Sequence, residues 1–532
     1  MQQMQHDDEL NRHLLKQGVD NKRVFGHPAG LFVLFFTEMW ERFSYYGMRA
    51  LLTLFLVSSL ANGGWEWTRA DAMSLYGWYT GLVYLTPILG GIIADKLTGY
   101  RKAILIGALM MTLGHASMAL EVFDPNFFFL GLGLMILGNG MFKPNISTMV
   151  GQLYPDNSAK KDGGYTIFYM GINAGAFLGM LLCGYIGEKI GWHLGFGLAG
   201  VFMFFGMLQF YFARRYFGKI GADPKELAEQ ERAEAASSEP EEKEEALAPK
   251  VIRDRLIVIC VLIFFSIFFW LAFEQAGGSM NIFAADYTQR VLNGAAATTF
   301  KWVDAILTLF PLAIVTWVLF GLGKQLFSSY PATIICTFIS FAIIWYLGIW
   351  KIQQEFTAVE TEVAASWFQI LNSFFIITLA TVFSRIWERV WNPSGPVKFA
   401  LGLILLGMGF VVLAYGSKDI PQGAATASVS MIWLILAYFF HTTGELCLSP
   451  VGLSYVSKLS PKKFIGLIFG LWFASSAIAN ILGGQLGGLI DKISTEYSMA
   501  HFFGIFAVLP VAAGVILLLI SPFLKKMMHG IN

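Results

Sequence analysis

Long apolar runs, one after another, constrain this chain more than any other feature. Six of them, 30–57, 70–94, 103–120, 127–153, 164–187 and 194–217, precede a hydrophilic stretch. Eight more, 255–284, 302–322, 330–350, 366–390, 397–415, 429–456, 464–489 and 501–522, follow it. Each has about the length a helix needs to cross the ~30 Å hydrocarbon core of a bilayer. Every backbone N–H and C=O in that core needs an internal partner, which a helix supplies by itself. A transmembrane barrel would show strands of about ten residues in strict alternation, and the sequence has none. Of the 532 residues 56% are hydrophobic and 14% charged, where a soluble chain has about a quarter charged. The expected fold class is an all-α integral membrane protein with about fourteen transmembrane helices.

The polar residues 1–29 read as an arm with no cleavable signal, the first span acting as its own insertion signal. Lys and Arg concentrate in the arm, in "DKLTGYRK" (95–102), "SAKK" (158–161), 218–254, "SRIWERVW" with Lys398, "SKLSPKK" (457–463) and the tail 525–532. All of these fall on one side if the runs alternate. The positive-inside rule then places both termini in the cytoplasm. The stretch 218–254 has no apolar face and reads as a solvated, partly helical linker. It separates an N-terminal six-helix bundle, 30–217, from a C-terminal part, 255–524. A net charge of +1 points to no polyanionic partner such as nucleic acid. The four cysteines lie in apolar runs without ligand spacing, so neither a metal nor another cofactor is expected. No HExxH, GxSxG or GxxxxGK[ST] pattern occurs, so an enzyme or an ATP-driven pump is not expected.

Against this background "TEMWERFSYYGMRALL" (37–52) is anomalous. Glu38, Glu41, Arg42, Tyr45, Tyr46 and Arg49 stand at helix offsets 0, 3, 4, 7, 8 and 11, which share one face. One charged side chain at the bilayer centre costs about 2.5–3.5 kcal/mol on insertion scales, so four facing lipid would prevent insertion. The stripe is therefore expected to face a hydrated, protein-lined cavity. An ion-pair network that merely joins helices leaves the two tyrosines on the same face unexplained. It also leaves unexplained the further charges Lys143, Glu274 and Glu445 in other apolar runs. Cations and carboxylates of this kind can grip a zwitterion by both ends, and can hold a proton when a salt bridge opens. His441, one turn before Glu445, reads as a satisfied packing histidine, the alternative being a role in the site.

The residues resemble the proton-dependent oligopeptide transporters of the major facilitator superfamily. "EMWERFSYYG" is similar to the family's ExxERFxYYG pattern, "FYMGINAGAFLG" to its FYxxINxG signature, and "GGIIADKLTGYRK" to the loop after the second span of the superfamily. "KPNIS" and "ELCLSPVGLS" add to the likeness. The resemblance implies two six-helix bundles and inward symport of di- and tripeptides with protons, the coupling ion, by alternating access. It implies proton coupling at Glu38, Glu41, Arg42 and Glu274, and a peptide carboxylate met by Arg42 and Lys143. It places the amino end at Asn173, Asn372 and Glu445, and side-chain pockets at Tyr45, Tyr46, Tyr84, Trp270, Trp472 and Ser476. Gating would involve Arg49, Lys143 and Glu274, with Asp95 in the cytoplasmic loop.

Matching Glu274 to the family's seventh helix and Asn372 to its eighth leaves 302–350 as an inserted hairpin. Many bacterial relatives carry two extra helices between the halves instead. Ser373 stands where relatives often have proline, and Gly77 where animal members carry a proton-sensing histidine. The alternative cargo is another small solute, such as nitrate, an amino acid or a drug. A bacterial inner membrane and a functional monomer are expected.

Overall fold

The computed structural model describes residues 2–155, 158–224, 248–461 and 465–531. The centre of the expected linker, 225–247, lies outside the described residues.

Twelve described segments are long and apolar enough to cross a membrane. One of them, 69–119, contains two helices, α3 (Arg69–Ile93) and α4 (Gly99–Ala119). The chain turns between them at Gly99, whose φ is +70°. A Cβ there would lie 2.3 Å from the Ala222 carbonyl oxygen, so glycine is required twice over. A further helix, α2 (Ala29–Val57), is as long and carries the charged stripe. With α2 included and α3 and α4 separated, the described helices match the expected count of about fourteen. The others are α5 (Asn126–Gln152), α6 (Ala159–Lys189), α7 (Trp192–Ala213), α8 (Pro249–Phe273), the short α9 (Ser279–Asp286), α10 (Gly294–Leu326) and α11 (Pro331–Thr357). After these come α12 (Ile370–Arg385), α13 (Gly395–Gly416), α14 (Ile432–Leu459), α15 (Ile465–Gly487), the short α16 (Ile490–Glu496) and α17 (Met499–Met527). Helices α10 and α11 occupy the stretch expected to be the inserted hairpin.

The compact units divide along different lines from the two halves expected from sequence. Unit 1 comprises 1–51, 86–240 and 291–362; unit 2 comprises 52–85, 241–290 and 363–532. The hairpin, grouped by sequence with 255–524, thus belongs with the N-terminal helices. Its packing explains why. Thr337 on α11 donates to Gln209 Oε1 on α7 at 2.8 Å, while Gln209 Nε2 donates to Thr37 Oγ1 on α2 at 3.0 Å. Phe341 meets Phe36 and Trp40 edge-on, at 5.5 Å in each case. At the other end of the hairpin Lys351 and Asp304 form a buried ion pair, and Lys351 lies 5.2 Å from the Tyr185 ring of α6.

Unit 2 takes the end of α2 and most of α3. Thr53 Oγ1 donates to the Gly277 carbonyl at 2.9 Å. A Cβ on Gly77 would come within 2.8 Å of Gly484 Cα, so these two backbones touch. Arg69 pairs with Asp286 at 2.6 Å and with Asp491 at 2.5 Å.

The N-terminal arm is folded. Helix α1 (Gln2–Lys16) buries Leu10 and Leu14, one turn apart, and His13 Nε2 lies 2.9 Å from the Gln152 carbonyl. A two-residue hairpin follows, β1 (Arg23–Val24) against β2 (His27–Pro28), and His27 Nδ1 lies 2.8 Å from Tyr154 Oη.

Candidate functional site

In unit 1 the charged stripe of α2 is buried inside protein. Glu38, Glu41, Arg42 and Arg49 are all among the buried residues, Glu41 at 0% exposure. Arg42 Nε lies 3.0 Å from Glu38 Oε1 and also contacts Glu41 Oε2. Asn139 Nδ2 on α5 donates to Glu41 Oε1 at 2.8 Å. Lys143, one turn further along α5, acts electrostatically on both carboxylates. The aromatic part of the stripe completes the cluster. The Arg42 guanidinium lies 5.6 Å from the Tyr45 ring and 5.9 Å from that of Tyr46, and the Arg49 guanidinium lies 5.4 Å from Tyr46. Such cation–π contacts strengthen when water is excluded.

What brings α2 so close to α6 is a run of small residues. A Cβ on Gly175 would fall 2.1 Å from the Met39 carbonyl oxygen and 3.0 Å from Arg42 Cβ, and one on Gly179 would fall 2.2 Å from the Phe43 carbonyl oxygen. Gly171, Gly175 and Gly179 recur every fourth residue, the spacing that lets membrane helices approach closely. Asn173 on this helix is buried and donates to the Tyr169 carbonyl at 3.0 Å.

The cluster keeps unfilled hydrogen-bonding capacity. Glu38 Oε2, Arg42 Nη2 and Asn139 Oδ1 are buried and have no hydrogen-bond partner among the described residues. Buried polar groups are normally satisfied, and exceptions concentrate where a protein handles ligands or protons.

Unit 2 brings together two further pairs. Tyr76 Oη donates to Glu274 Oε2 at 3.2 Å. Asn372 Nδ2 on α12 donates to Glu445 Oε2 on α14 at 2.9 Å and to Thr442 Oγ1 at 3.2 Å. Trp472 and Ser476 share one face of α15, where the Ser476 hydroxyl donates to the Trp472 carbonyl at 3.4 Å. Trp472 packs edge-on to Phe399 and covers Gly452. Trp270 sits between Phe269 and Phe273, its buried indole N–H without a hydrogen-bond partner among the described residues. Tyr84 is half-buried. Asp95 is exposed in the α3–α4 turn and accepts from Tyr100 Oη at 2.7 Å.

Two departures from the family pattern acquire a structural meaning. Gly77 sits in a backbone contact with Gly484, where no histidine side chain has room. Ser373 is buried, just past the short 3₁₀ turn Ala365–Gln369 that opens α12. His441 packs its ring on Phe410 at 4.5 Å, and among the described residues neither buried ring nitrogen has a hydrogen-bond partner, so the ring is packed but not satisfied.

Asn139, Tyr76 and Thr442 were not singled out from sequence. Each left a faint signal, a polar side chain on the face of an already marked residue. Asn139 is one turn before Lys143, Tyr76 two turns before Tyr84, and Thr442 one turn before Glu445.

Comparison with known proteins gives one consistent result. The profile of the POT family matches residues 101–238 and 332–505. The uncharacterized transporter YclF of Bacillus subtilis is 34% identical, over 98% of this chain and 99% of its own length. A di-/tripeptide transporter of Lactococcus lactis subsp. cremoris is 33% identical, over 96% and 98%. A crystal structure of a peptide transporter POT in complex with sulfate is 31% identical, covers 96% of this chain and 98% of its own, and superposes with a TM-score of 0.74. That of a POT family transporter in complex with 5-aminolevulinic acid, 26% identical, covers 96% and 99% and also has a TM-score of 0.74. The chain is a multi-span membrane protein that belongs to the POT family, the proton-dependent oligopeptide transporters.

Proposed function

We propose that this transporter carries di- and tripeptides into the cell together with protons, by alternating access. The observation that carries the reading is the buried Glu38–Arg42–Glu41–Asn139 cluster. Two carboxylates share one guanidinium. Neutralising either by a proton loosens its hold on Arg42 and frees the guanidinium for a peptide carboxylate, with Lys143 as the second cation. Within unit 2, Glu445, held by Asn372, suits a peptide amino end. In unit 1 Asn173 is the residue proposed for a peptide amino end, and Tyr45, Tyr46, Tyr84, Trp270, Trp472 and Ser476 are proposed for the variable side chains. Relatives named di-/tripeptide transporters, at 33% and 32% identity over nearly their whole lengths, agree with this cargo.

Alternating access needs contacts that break. The seams inside unit 2, Thr53 to Gly277, Gly77 to Gly484 and Tyr76 to Glu274, are the candidates for an outer gate. In unit 1, Arg49 and Lys143 are the proposed gating residues. Asp95, in the α3–α4 turn, belongs to the inner side. The termini are cytoplasmic in this scheme, the membrane is the bacterial inner membrane, and the monomer is the working unit.

A second reading, transport of another small zwitterion, is favoured by the relative bound to 5-aminolevulinic acid, which has an amino and a carboxylate end but no peptide bond. Proteoliposomes with an imposed pH gradient and potential separate the two. Accumulation of a labelled dipeptide that collapses with an uncoupler supports peptide symport. Uptake of 5-aminolevulinic acid or nitrate with no dipeptide uptake overturns it.

A further inference from the structure

Unit 2 carries a second feature, independent of peptide transport, where α8 begins and α17 ends. The two ends lie together, because His529 Nε2, just past α17, is 2.9 Å from Asp254 Oδ2 on α8. Between the helices opens a groove of about 710 Å³ lined by Leu256, Ile257, Val261, Phe264, Phe265 and Ile520. Cys260 is exposed in the same groove, and Arg253 is its charged lining residue.

The length and polarity of this groove match one leaflet of a bilayer. From Arg253 to Phe265 the helix rises about 18 Å at ~1.5 Å per residue. That is slightly more than half of a hydrocarbon core about 30 Å thick. The outer end of the groove is basic. The Arg253 side chain is 69% exposed and only 3.4 Å from Asp254, whose other oxygen is taken by His529. Lys250, Lys525 and Lys526 are exposed near the same helix ends. An apolar channel one leaflet deep with cations at its mouth is complementary to a lipid whose headgroup is anionic. The Glu-rich stretch 225–247 shares the charge complementarity, but its only large apolar side chains are Leu227 and Leu247, at its two ends, too few to fill the channel.

We propose that the α8–α17 groove holds an acyl chain of an anionic glycerophospholipid whose phosphate is bound by Arg253.

The test uses the full-length protein, purified in detergent and offered phosphatidylglycerol or phosphatidylcholine. Native mass spectrometry is expected to show about fivefold preferential retention of phosphatidylglycerol, equivalent to about 1 kcal/mol for one basic group near an anionic headgroup. Arg253→Glu should erase the preference, and Val261→Trp should lower retention by filling the groove. In the unmutated protein, phosphatidylglycerol should slow alkylation of Cys260 several-fold more than phosphatidylcholine does, with the half-buried Cys336 as internal reference. Equal retention of both lipids, a preference that survives Arg253→Glu, or lipid-independent alkylation of Cys260 overturns the proposal. So does a rise in Cys260 alkylation on deleting 226–246, or its protection by dimerisation, since either assigns the groove to another occupant.

Discussion

Tyr76 and Glu274 are 198 residues apart in sequence, and the tyrosine hydroxyl donates to both the carboxylate, at 3.2 Å, and the main-chain carbonyl, at 3.3 Å. This contact ties α3 to the end of α8 inside one compact unit. If outward opening breaks it, Tyr76→Phe should enlarge the outward-open population by about tenfold, since a hydrogen bond to a charged group contributes about 1.5–3 kcal/mol. Spin labels at Asn62→Cys and Ser428→Cys read this out as a new long-distance population. An unchanged distance distribution removes Tyr76 from the gate.

Glu41 accepts from Asn139 and shares Arg42 with Glu38, so Glu41→Gln keeps the shape but abolishes the titration. Gradient-driven uptake of a dipeptide should fall to background while peptide exchange across the membrane survives. Driven uptake at the unmutated rate would refute a coupling role. Lys143→Ala should instead weaken both dipeptide binding and transport by at least tenfold, and normal dipeptide affinity would count against the carboxylate clamp.

The glycines of α6 allow a sharp comparison. A methyl group at Gly175 would sit 2.1 Å from the Met39 carbonyl, whereas one at Gly133 would meet nothing within 4 Å. Overpacking of this kind costs about 1–3 kcal/mol or more. Gly175→Ala should therefore lower the apparent Tm by several degrees and reduce transport, and Gly133→Ala should do neither. Equal melting of the two variants would show that α2 and α6 do not need this approach.

Lys351 and Asp304, 3% and 1% exposed, neutralise each other inside the hairpin. Removing one partner of a buried ion pair costs about 3–5 kcal/mol, whereas replacing both by apolar groups is often neutral. Lys351→Met alone should destabilise the protein and expose the open end of the hairpin, where α10 begins and α11 ends, to protease. Combining it with Asp304→Leu should restore most of the loss. Additive destabilisation in the double variant would overturn this account.

Burial, reinforced by Lys160 and Arg23, holds the His27 imidazole below its ordinary pKa of 6.5. The docked arm therefore keeps the ring neutral, while a released arm takes up a proton at a higher pH. By linkage, docking is strongest above about pH 6.5 and weakens as the pH falls below it. Hydrogen exchange in residues 19–28, corrected for its intrinsic pH dependence, should quicken several-fold between pH 7.5 and 5.5. In His27→Gln that acceleration should disappear; its persistence would assign the effect to another group.

The sequence by itself determined the helical membrane architecture, the position of nearly every span and the shared face of Glu38, Glu41, Arg42, Tyr45, Tyr46 and Arg49. These properties are local: span length answers to bilayer thickness, and the face follows from the helical repeat. It also marked Lys143, Glu274 and Glu445, because a charge in an apolar run is visible without any partner. The partners themselves were decided by tertiary structure. Asn139 on Glu41, Tyr76 on Glu274 and Asn372 on Glu445 join helices 98, 198 and 73 residues apart. No periodicity encodes which distant face a helix meets. The same reason governs the hairpin. Its chain position joins it to the C-terminal helices, but Thr337, Phe341 and Lys351 find their partners on α7, α2 and within the hairpin itself, and packing outweighs connectivity.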